Sequence, residues 1–462
     1  RINAMLSVTI LPTIYSILLN IDSTLMFKLL FPLIFSLVPL GLYQVWQTFI
    51  DKKYAFISAF LFMAQGTFYS ELLGLNRQMI AELFFVLLLL VITKKKMKST
   101  SKMMCFIIFS FALVTSHYSL AEIFLSFISF ALISLLVLKR PSRNITVSMV
   151  ILFFVIMFTW YLFTSGSTVF DSFLEFGEHI YTQLGDFFNP KSRGEGVLRG
   201  LGLEAPPSVW NMISRAFAYI TQALIVVGFV GLILRRTKSR FETEYFMFSS
   251  AAMALLAALI LVPGLANALN MSRFYHILLF FLAPFCVMGA EVIVKLLPKR
   301  DKEFGVFLLL LVVLVPYFLF QTGFVYEVTG SESWSLPLSS YRMDGYKLYC
   351  DLGYVDEESV FAAKWMRKNV DMKYTQVYAD LSSRANVLIS FRPIDGGNIL
   401  PLSNTTIIAL NGTVYLNPLN TIQKTVVAGS YCCSLNELYF LDDMSKIYTN
   451  GKSEIYRNNV GD

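Results

Sequence analysis

Apolar residues run through this chain in long blocks divided by short polar breaks. Most blocks are too long for strands and long enough for a helix to cross a bilayer. They predict spans at Thr24–Phe49, Tyr54–Leu72, Met79–Thr93, Met103–Ser116, Leu120–Leu138, Val147–Thr164, Met212–Leu234, Phe246–Val262, Phe274–Leu297 and Phe304–Gly323. Before them, Met5–Leu19 is apolar but short and carries Pro12, so it reads as a juxtamembrane helix or a broken span. Pro32 and Pro39 predict kinks that neighbouring helices must accommodate. The fold class is therefore an α-helical polytopic membrane protein with about ten to eleven spans.

The pattern changes after the last span. Asp356-Glu357-Glu358 precedes Val360, Ala363, Trp365 and Met366 at helical spacing, which predicts an amphipathic helix with an acidic start. Gln376–Ala379, Thr406–Leu410 and Thr413–Leu416 read as strands, the last two joined as a hairpin at Asn411-Gly412. Leu435–Met444 reads as helix and Glu454–Arg457 as extended chain. The organisation that follows is a membrane domain over 1–323 and a compact α/β domain over 324–462. Within the first, the 165–211 connector is too long for a simple turn. Its Phe and Leu residues alternate with Asp171, Glu175 and Glu178, and its glycines at 194–202 predict a mobile segment on the membrane surface.

Composition agrees with the pattern: 56% of 462 residues are hydrophobic and 15% charged, with a mean hydropathy of +0.60. The net charge of +7 is unevenly placed. From Val325 onward acidic residues outnumber basic ones, so the positive excess belongs to the membrane part and gives no reason to expect nucleic acid. Alternate loops hold Lys52-Lys53, the Lys94–Lys98 run, Lys139-Arg140 with Arg143, Arg235-Arg236 with Lys238 and Arg240, and Lys299-Arg300 with Lys302. The positive-inside rule assigns these to the cytoplasm. Asp22, the 71–77 stretch, His117, the 165–211 connector, Arg273 and the whole C-terminal domain then face outward, from a multi-pass protein of the cell membrane. Asn404-Thr405-Thr406 and Asn411-Gly412-Thr413 are acceptor tripeptides compatible with that side, whereas Asn144-Ile145-Thr146 falls on the cytoplasmic one. A disulfide from Cys350 to Cys432 or Cys433 is open in an extracytoplasmic domain, but spacing does not assign it. The chain begins at Arg1 without a signal-peptide pattern and is expected to be a fragment or processed product.

Ionisable groups at membrane depth are costly and mark function by default. They cluster in four outer stretches: Glu71 to Arg77 running into Glu82, Ser116-His117-Tyr118-Ser119 with Glu122 beyond, the connector with Glu175, Glu178 and His179, and Arg273-Phe274-Tyr275-His276. Guanidinium suits a phosphate, because its planar fork makes paired hydrogen bonds to oxyanions. Carboxylate and imidazole suit a divalent cation or a general base. No H-E-x-x-H, paired C-x-x-C, phosphate-binding lysine loop, G-x-S-x-G elbow or G-x-G-x-x-G after a strand is present, so those chemistries are set aside.

The layout of hairpins, polar outer breaks and a trailing soluble domain resembles the GT-C superfamily of membrane glycosyltransferases. The set Leu11-Pro12-Thr13-Ile14-Tyr15, Asn76-Arg77-Gln78-Met79-Ile80-Ala81-Glu82, Ser116-His117-Tyr118-Ser119, Arg273-Phe274-Tyr275-His276 and Ala362-Ala363-Lys364-Trp365 is similar, over most of the chain, to an archaeal family of multi-pass membrane proteins grouped near those enzymes. The resemblance implies transfer of a sugar from a polyprenyl-phosphate carrier to a glycan or protein acceptor on the outer face. It places the essential acid in a first outer loop ahead of Arg1. It makes Arg77, Arg273, Tyr275 and His276 the lipid-phosphate binders, with Glu71, Glu82 and His117 supporting catalysis, and Glu71 and His117 also candidates for a divalent cation such as Mg or Mn. Two other readings stand beside it: a lipid-carrier or polysaccharide transporter, and a non-catalytic envelope assembly protein.

Overall fold

The computed structural model describes residues 5–94, 96–140, 142, 144–165, 168–187, 189, 192–236, 241–296, 302–334, 343, 345–371, 375–391, 399–429 and 431–459. Lys95, Arg143, Lys238, Arg240, Lys299 and Arg300, on which part of the orientation reading rests, lie outside them, as do the side chains of Phe170, Asp171 and Phe173. The chain divides into two compact units, Arg1–Ser335 and Leu336–Asp462, so the short helix Phe324–Thr329 stays with the membrane part.

Among the described residues of the first unit, nine helices are long and apolar enough to cross a membrane, or ten if one bent pair counts as a span. A short helix α1 (Ile10–Leu19) precedes them. The spans are α2 (Ser23–Trp46), α4 (Asn76–Thr93), α5 (Ser99–Ser116), α6 (Tyr118–Val137), α7 (Val147–Thr164), α9 (Val209–Ile233), α10 (Thr243–Leu261), α11 (Met271–Leu296) and α12 (Lys302–Gln321). The bent pair is α3 (Lys52–Met63) with Thr67–Gly74, which turns by 62° at the break. The single span expected over Tyr54–Leu72 is thus broken. Gly66 sits at the break, with its amide bonded to Gln321 Oε1. A π turn over Thr67–Glu71 and a 3₁₀ turn over Leu72–Gly74 follow.

The bundle is built around α11, whose apolar window is 94% buried. A helix hydrophobic all round belongs inside, and this one is sheathed by its neighbours. Its closest partner is α9. A Cβ on Gly228 would lie 2.0 Å from the Phe285 carbonyl oxygen, and one on Gly289 would lie 1.9 Å from that of Leu224. Small residues let membrane helices approach until their backbones touch. Trp46 Nε1 donates to Tyr245 Oη over 2.8 Å and that hydroxyl donates to the Phe280 carbonyl over 2.8 Å, tying α2, α10 and α11 together. At the end carrying the lysine-rich loops, Lys102 Nζ donates to Asn144 Oδ1 over 2.8 Å and Asn144 Nδ2 to Glu244 over 3.2 Å. The Asn144 acceptor tripeptide is therefore absorbed in a structural knot.

Among its described residues the 165–211 connector carries regular structure. Its first half forms α8 (Thr168–Gln183), and its glycine-rich part forms the helix Glu195–Leu201. Gly202 closes that helix at φ 76°, a left-handed conformation that glycine adopts without penalty. Gly194 and Gly202 stand at the two ends of that helix.

The second unit holds a five-stranded sheet in the order β2-β1-β3-β7-β6, formed by β1 (Val377–Ala379), β2 (Ile399–Pro401), β3 (Thr413–Leu416), β6 (Ser445–Thr449) and β7 (Glu454–Arg457). The first three are parallel and the last two join antiparallel. A separate ribbon pairs β4 (Thr425–Ala428) with β5 (Tyr431–Ser434). Helix α13 (Glu357–Asn369), capped by Asp356 accepting from Ser359 N over 2.8 Å, packs Ala362, Ala363 and Met366 onto the sheet. Two expectations fail. Thr406–Leu410 is irregular and Ile407 is 89% exposed, so the hairpin does not form, and β3 pairs instead with β1 and β7. Leu435–Met444 is two 3₁₀ turns interrupted at Leu438, whose ψ of 63° stops a helix. No disulfide joins Cys350 to the adjacent pair, since Cys432 and Cys433 are both thiols on β5.

Candidate functional site

A cavity of about 520 Å³ lies at the end of the bundle opposite the lysine-rich loops. It is formed where three span ends meet: the start of α4, the α5–α6 junction and the start of α11. Each end is shaped by a local sequence feature. Leu75 leaves the preceding turns at φ −110° and ψ 60°, so α4 begins afresh with Arg77 and Gln78 in its first turn. His117 is extended at φ −157°, separating α5 from α6, and its own Nδ1 accepts from Leu120 N over 3.4 Å. Asn270 sits at φ 57°, a left-handed conformation that asparagine tolerates, and its Oδ1 accepts from the Arg273 backbone amide over 3.4 Å. That turn launches α11 with Arg273 one turn before His276.

The polar wall carries Arg77, Gln78, His117, Ser119, Glu122, Asn270 and Arg273, and the apolar wall includes Leu120, Ile123, Phe127, Phe274 and Ile277. Arg77 stacks its guanidinium over the Tyr118 ring at 5.7 Å, and no carboxylate among the described residues pairs with it. Arg273 Nε lies 3.5 Å from Glu71 Oε2, and Ser272 Oγ reaches both Glu71 oxygens at 2.9 and 3.1 Å. Both partners of this pair are more than one third exposed, so the attraction is weak and easily shared with a ligand. Burial first, then the charges of Arg77 and Arg273, push the His117 imidazole down to about 3. It is therefore neutral at physiological pH. Because Nδ1 is an acceptor, the ring proton sits on Nε2, and His117 is a hydrogen-bond donor. The N-terminal segment closes over this junction, with Leu6 N bonded to the Thr115 carbonyl at 2.8 Å and Ser7 Oγ to that of Ser116 at 3.2 Å.

Of the residues singled out in the sequence, the cavity brings together Arg77, His117 and Arg273. Glu71 stands beside it through Arg273. Glu82 and His276 lie beneath it as a fully buried pair, with 3.2 Å between Oε2 and Nε2, and Gln78 Nε2 donates to the other Glu82 oxygen over 3.0 Å. Tyr275 is half-buried against the bundle core and does not line the cavity. Glu175, Glu178 and His179 are exposed on α8, which contributes Phe176 to the cavity instead. Two lining groups, Gln78 and Glu122, had no role assigned from the sequence. Their signal was spacing: Gln78 adjoins Arg77, and Glu122 follows His117 by just over one helical turn. Among the described residues no three His, Cys, Asp or Glu side chains gather as a metal would need. Glu71, held by Ser272 and Arg273, does not join His117, so these residues do not fit a divalent cation.

A family model described as "Predicted membrane protein (DUF2206)" matches residues 102–456, well over half of the chain. No curated protein matches. Among solved structures, the chain is similar to ArnT from Cupriavidus metallidurans bound to undecaprenyl phosphate, with 10% sequence identity and a TM-score of 0.46 over 97% of this chain and 86% of that one.

Proposed function

The chain belongs to the DUF2206 family of predicted membrane proteins, and on that premise we propose that it is a membrane glycosyltransferase. The donor is a sugar on a polyprenyl-phosphate carrier and the acceptor a glycan or protein. The reading follows the resemblance to GT-C enzymes, and one observation carries it. Two guanidinium groups and a neutral imidazole N–H converge on a cavity whose other wall is apolar. That is the division of chemistry a lipid phosphate asks for. Arg77 and Arg273 hold the phosphate oxygens and His117 Nε2–H adds a donor without adding charge. Leu120, Ile123, Phe127, Phe274 and Ile277 take the first isoprene units.

In the transfer, an acceptor nucleophile attacks the anomeric carbon while the bond to the phosphate oxygen breaks. The bond electrons leave with the phosphate, and the two arginines stabilise that developing charge. The acceptor proton passes to a carboxylate. Glu122 is the carboxylate on the cavity wall and is assigned that place, with Glu71 supporting Arg273. The cavity and the C-terminal unit face the outside in this reading, opposite the lysine-rich loops.

The test is direct binding of a polyprenyl phosphate to the purified protein. Removing one charge-assisted contact costs about 1.5–3 kcal/mol, so Arg77→Ala and Arg273→Ala each weaken binding by roughly 10- to 100-fold. Affinity unchanged in both variants would sink the reading.

A further inference from the structure

Beneath the cavity floor lies a polar group that the proposed phosphate clamp does not use. Glu82 and His276 have side chains with 0% exposure, deep in an apolar bundle. A buried polar pair costs stability unless its remaining lone pairs and protons are met, and here His276 Nδ1 is left without a partner while both Glu82 oxygens find one. One Glu82 oxygen faces His276 Nε2 at 3.2 Å, and the other accepts from Gln78 Nε2 at 3.0 Å. Gln78 is the link upward, because it also lines the cavity. The carboxamide's orientation follows from this network. Gln78 turns its NH₂ group down to Glu82, because it is Nε2 that lies 3.0 Å from the Glu82 oxygen. Its Oε1 is left over. That oxygen accepts from no group among the described residues, and it is not among the atoms sealed without a partner. It is the end of the side chain that Glu82 does not engage, on a residue that lines the cavity next to Arg77.

We propose that Gln78 recognises the sugar: its Oε1 accepts a hydrogen bond from a hydroxyl of the glycosyl group, and the Glu82–His276 pair is the positioning element that holds it there. The inference rests on the proposed function and adds to it the residue that distinguishes a loaded carrier from a bare one. Phosphate is read by donors, Arg77, Arg273 and His117, none of which can accept from a sugar hydroxyl. Glu122 on the same wall is taken by the proton of the attacking acceptor, and Gln78 supplies an uncharged acceptor beside the phosphate clamp. Without a sugar, its oxygen meets water at little gain. With a sugar, the acceptor exchanges water for a directed bond, and a site built around a substrate hydroxyl discriminates against the analogue that lacks it.

The experiment compares two probes on the full chain: a polyprenyl phosphate, and the same lipid carrying one neutral hexose on its phosphate. Binding is measured for the unaltered protein, for Gln78→Ala, for Gln78→Met, which keeps the side-chain length, and for Arg273→Ala. The unaltered protein is expected to prefer the hexose-bearing lipid by about tenfold. Both Gln78 variants lose that preference while holding the bare lipid as before, and Arg273→Ala weakens both lipids alike. If Gln78→Met keeps the preference, or weakens both lipids equally, Gln78 is a structural residue and the inference falls, leaving the phosphate clamp standing. If the unaltered protein binds neither lipid, the proposed function falls and this inference falls with it.

Discussion

At the scale of single residues, the cavity separates groups that carry charge from groups that shape it. Arg273 and His276 stand one turn apart on α11, yet one meets the cavity and the other is sealed against Glu82. A one-turn spacing puts two residues on the same helix face, but does not tell how deep each lies. For that reason Arg77, His117 and Arg273 were legible as a group, while the burial of His276 and the exposure of His179 were not. His117 also gives a pH signature. Its folded-state pKa, about 3, lies below the unfolded value near 6.5, so folding favours the neutral ring. The stabilisation is complete above pH 6.5 and is lost progressively as pH falls toward 3. Between pH 6.5 and 5 the loss is about 2 kcal/mol. Thermal unfolding in detergent should show it, and His117→Asn, which keeps an acceptor for Leu120 N, should flatten that part of the pH dependence. Identical pH profiles for the two proteins would contradict the assignment.

At the scale of elements, long apolar blocks announced themselves and short strands did not. Nearly every span appears where hydropathy put it, because about twenty apolar residues in a row leave a helix few alternatives. The strands β2, β4, β5 and β6 have three to five residues each, too few for alternation to stand out. Thr406–Leu410 carried the composition of a strand, but both edges of its expected partner β3 are taken by β1 and β7, and tertiary context decided against it. The break between α3 and Thr67–Gly74 was equally silent, since glycine within an apolar run does not by itself mark a bend. Packing of α9 on α11 yields a sharper prediction. Alanine favours a helix over glycine by about 0.5–1 kcal/mol. At Gly289, however, the new Cβ would sit 1.9 Å from the Leu224 carbonyl oxygen, and the helices must part. Gly289→Ala should therefore lower stability by about 1–3 kcal/mol or more. Gly177→Ala on α8 meets nothing within 4 Å and should leave stability unchanged or slightly raised. Thermal melts of both variants decide the sign, and a stable Gly289→Ala protein would show that this contact is looser than described.

At the scale of the whole molecule, the lysine-rich loops and the cavity lie at opposite ends of the same helices. α11 alone separates Arg273 from Lys295 by 22 residues, roughly 33 Å at 1.5 Å per residue, which is the thickness of a bilayer core. In a protein whose native cysteines, the exposed Cys432 among them, are replaced by serine, the proposed orientation predicts that a membrane-impermeant thiol reagent added to intact cells labels Asn404→Cys. A cysteine at Lys98 should be labelled only after the membrane is opened. The reverse pattern would turn the protein over and place the cavity on the cytoplasmic side.

The central claim is that the cavity holds a lipid phosphate between Arg77 and Arg273. An experimental structure of the protein with a bound polyprenyl phosphate tests it most directly. Phosphate density is expected within hydrogen-bonding distance of both guanidinium groups and of His117 Nε2, with the chain running along Phe127 and Ile277. Phosphate density elsewhere, with this cavity filled only by water or by protein, would contradict it.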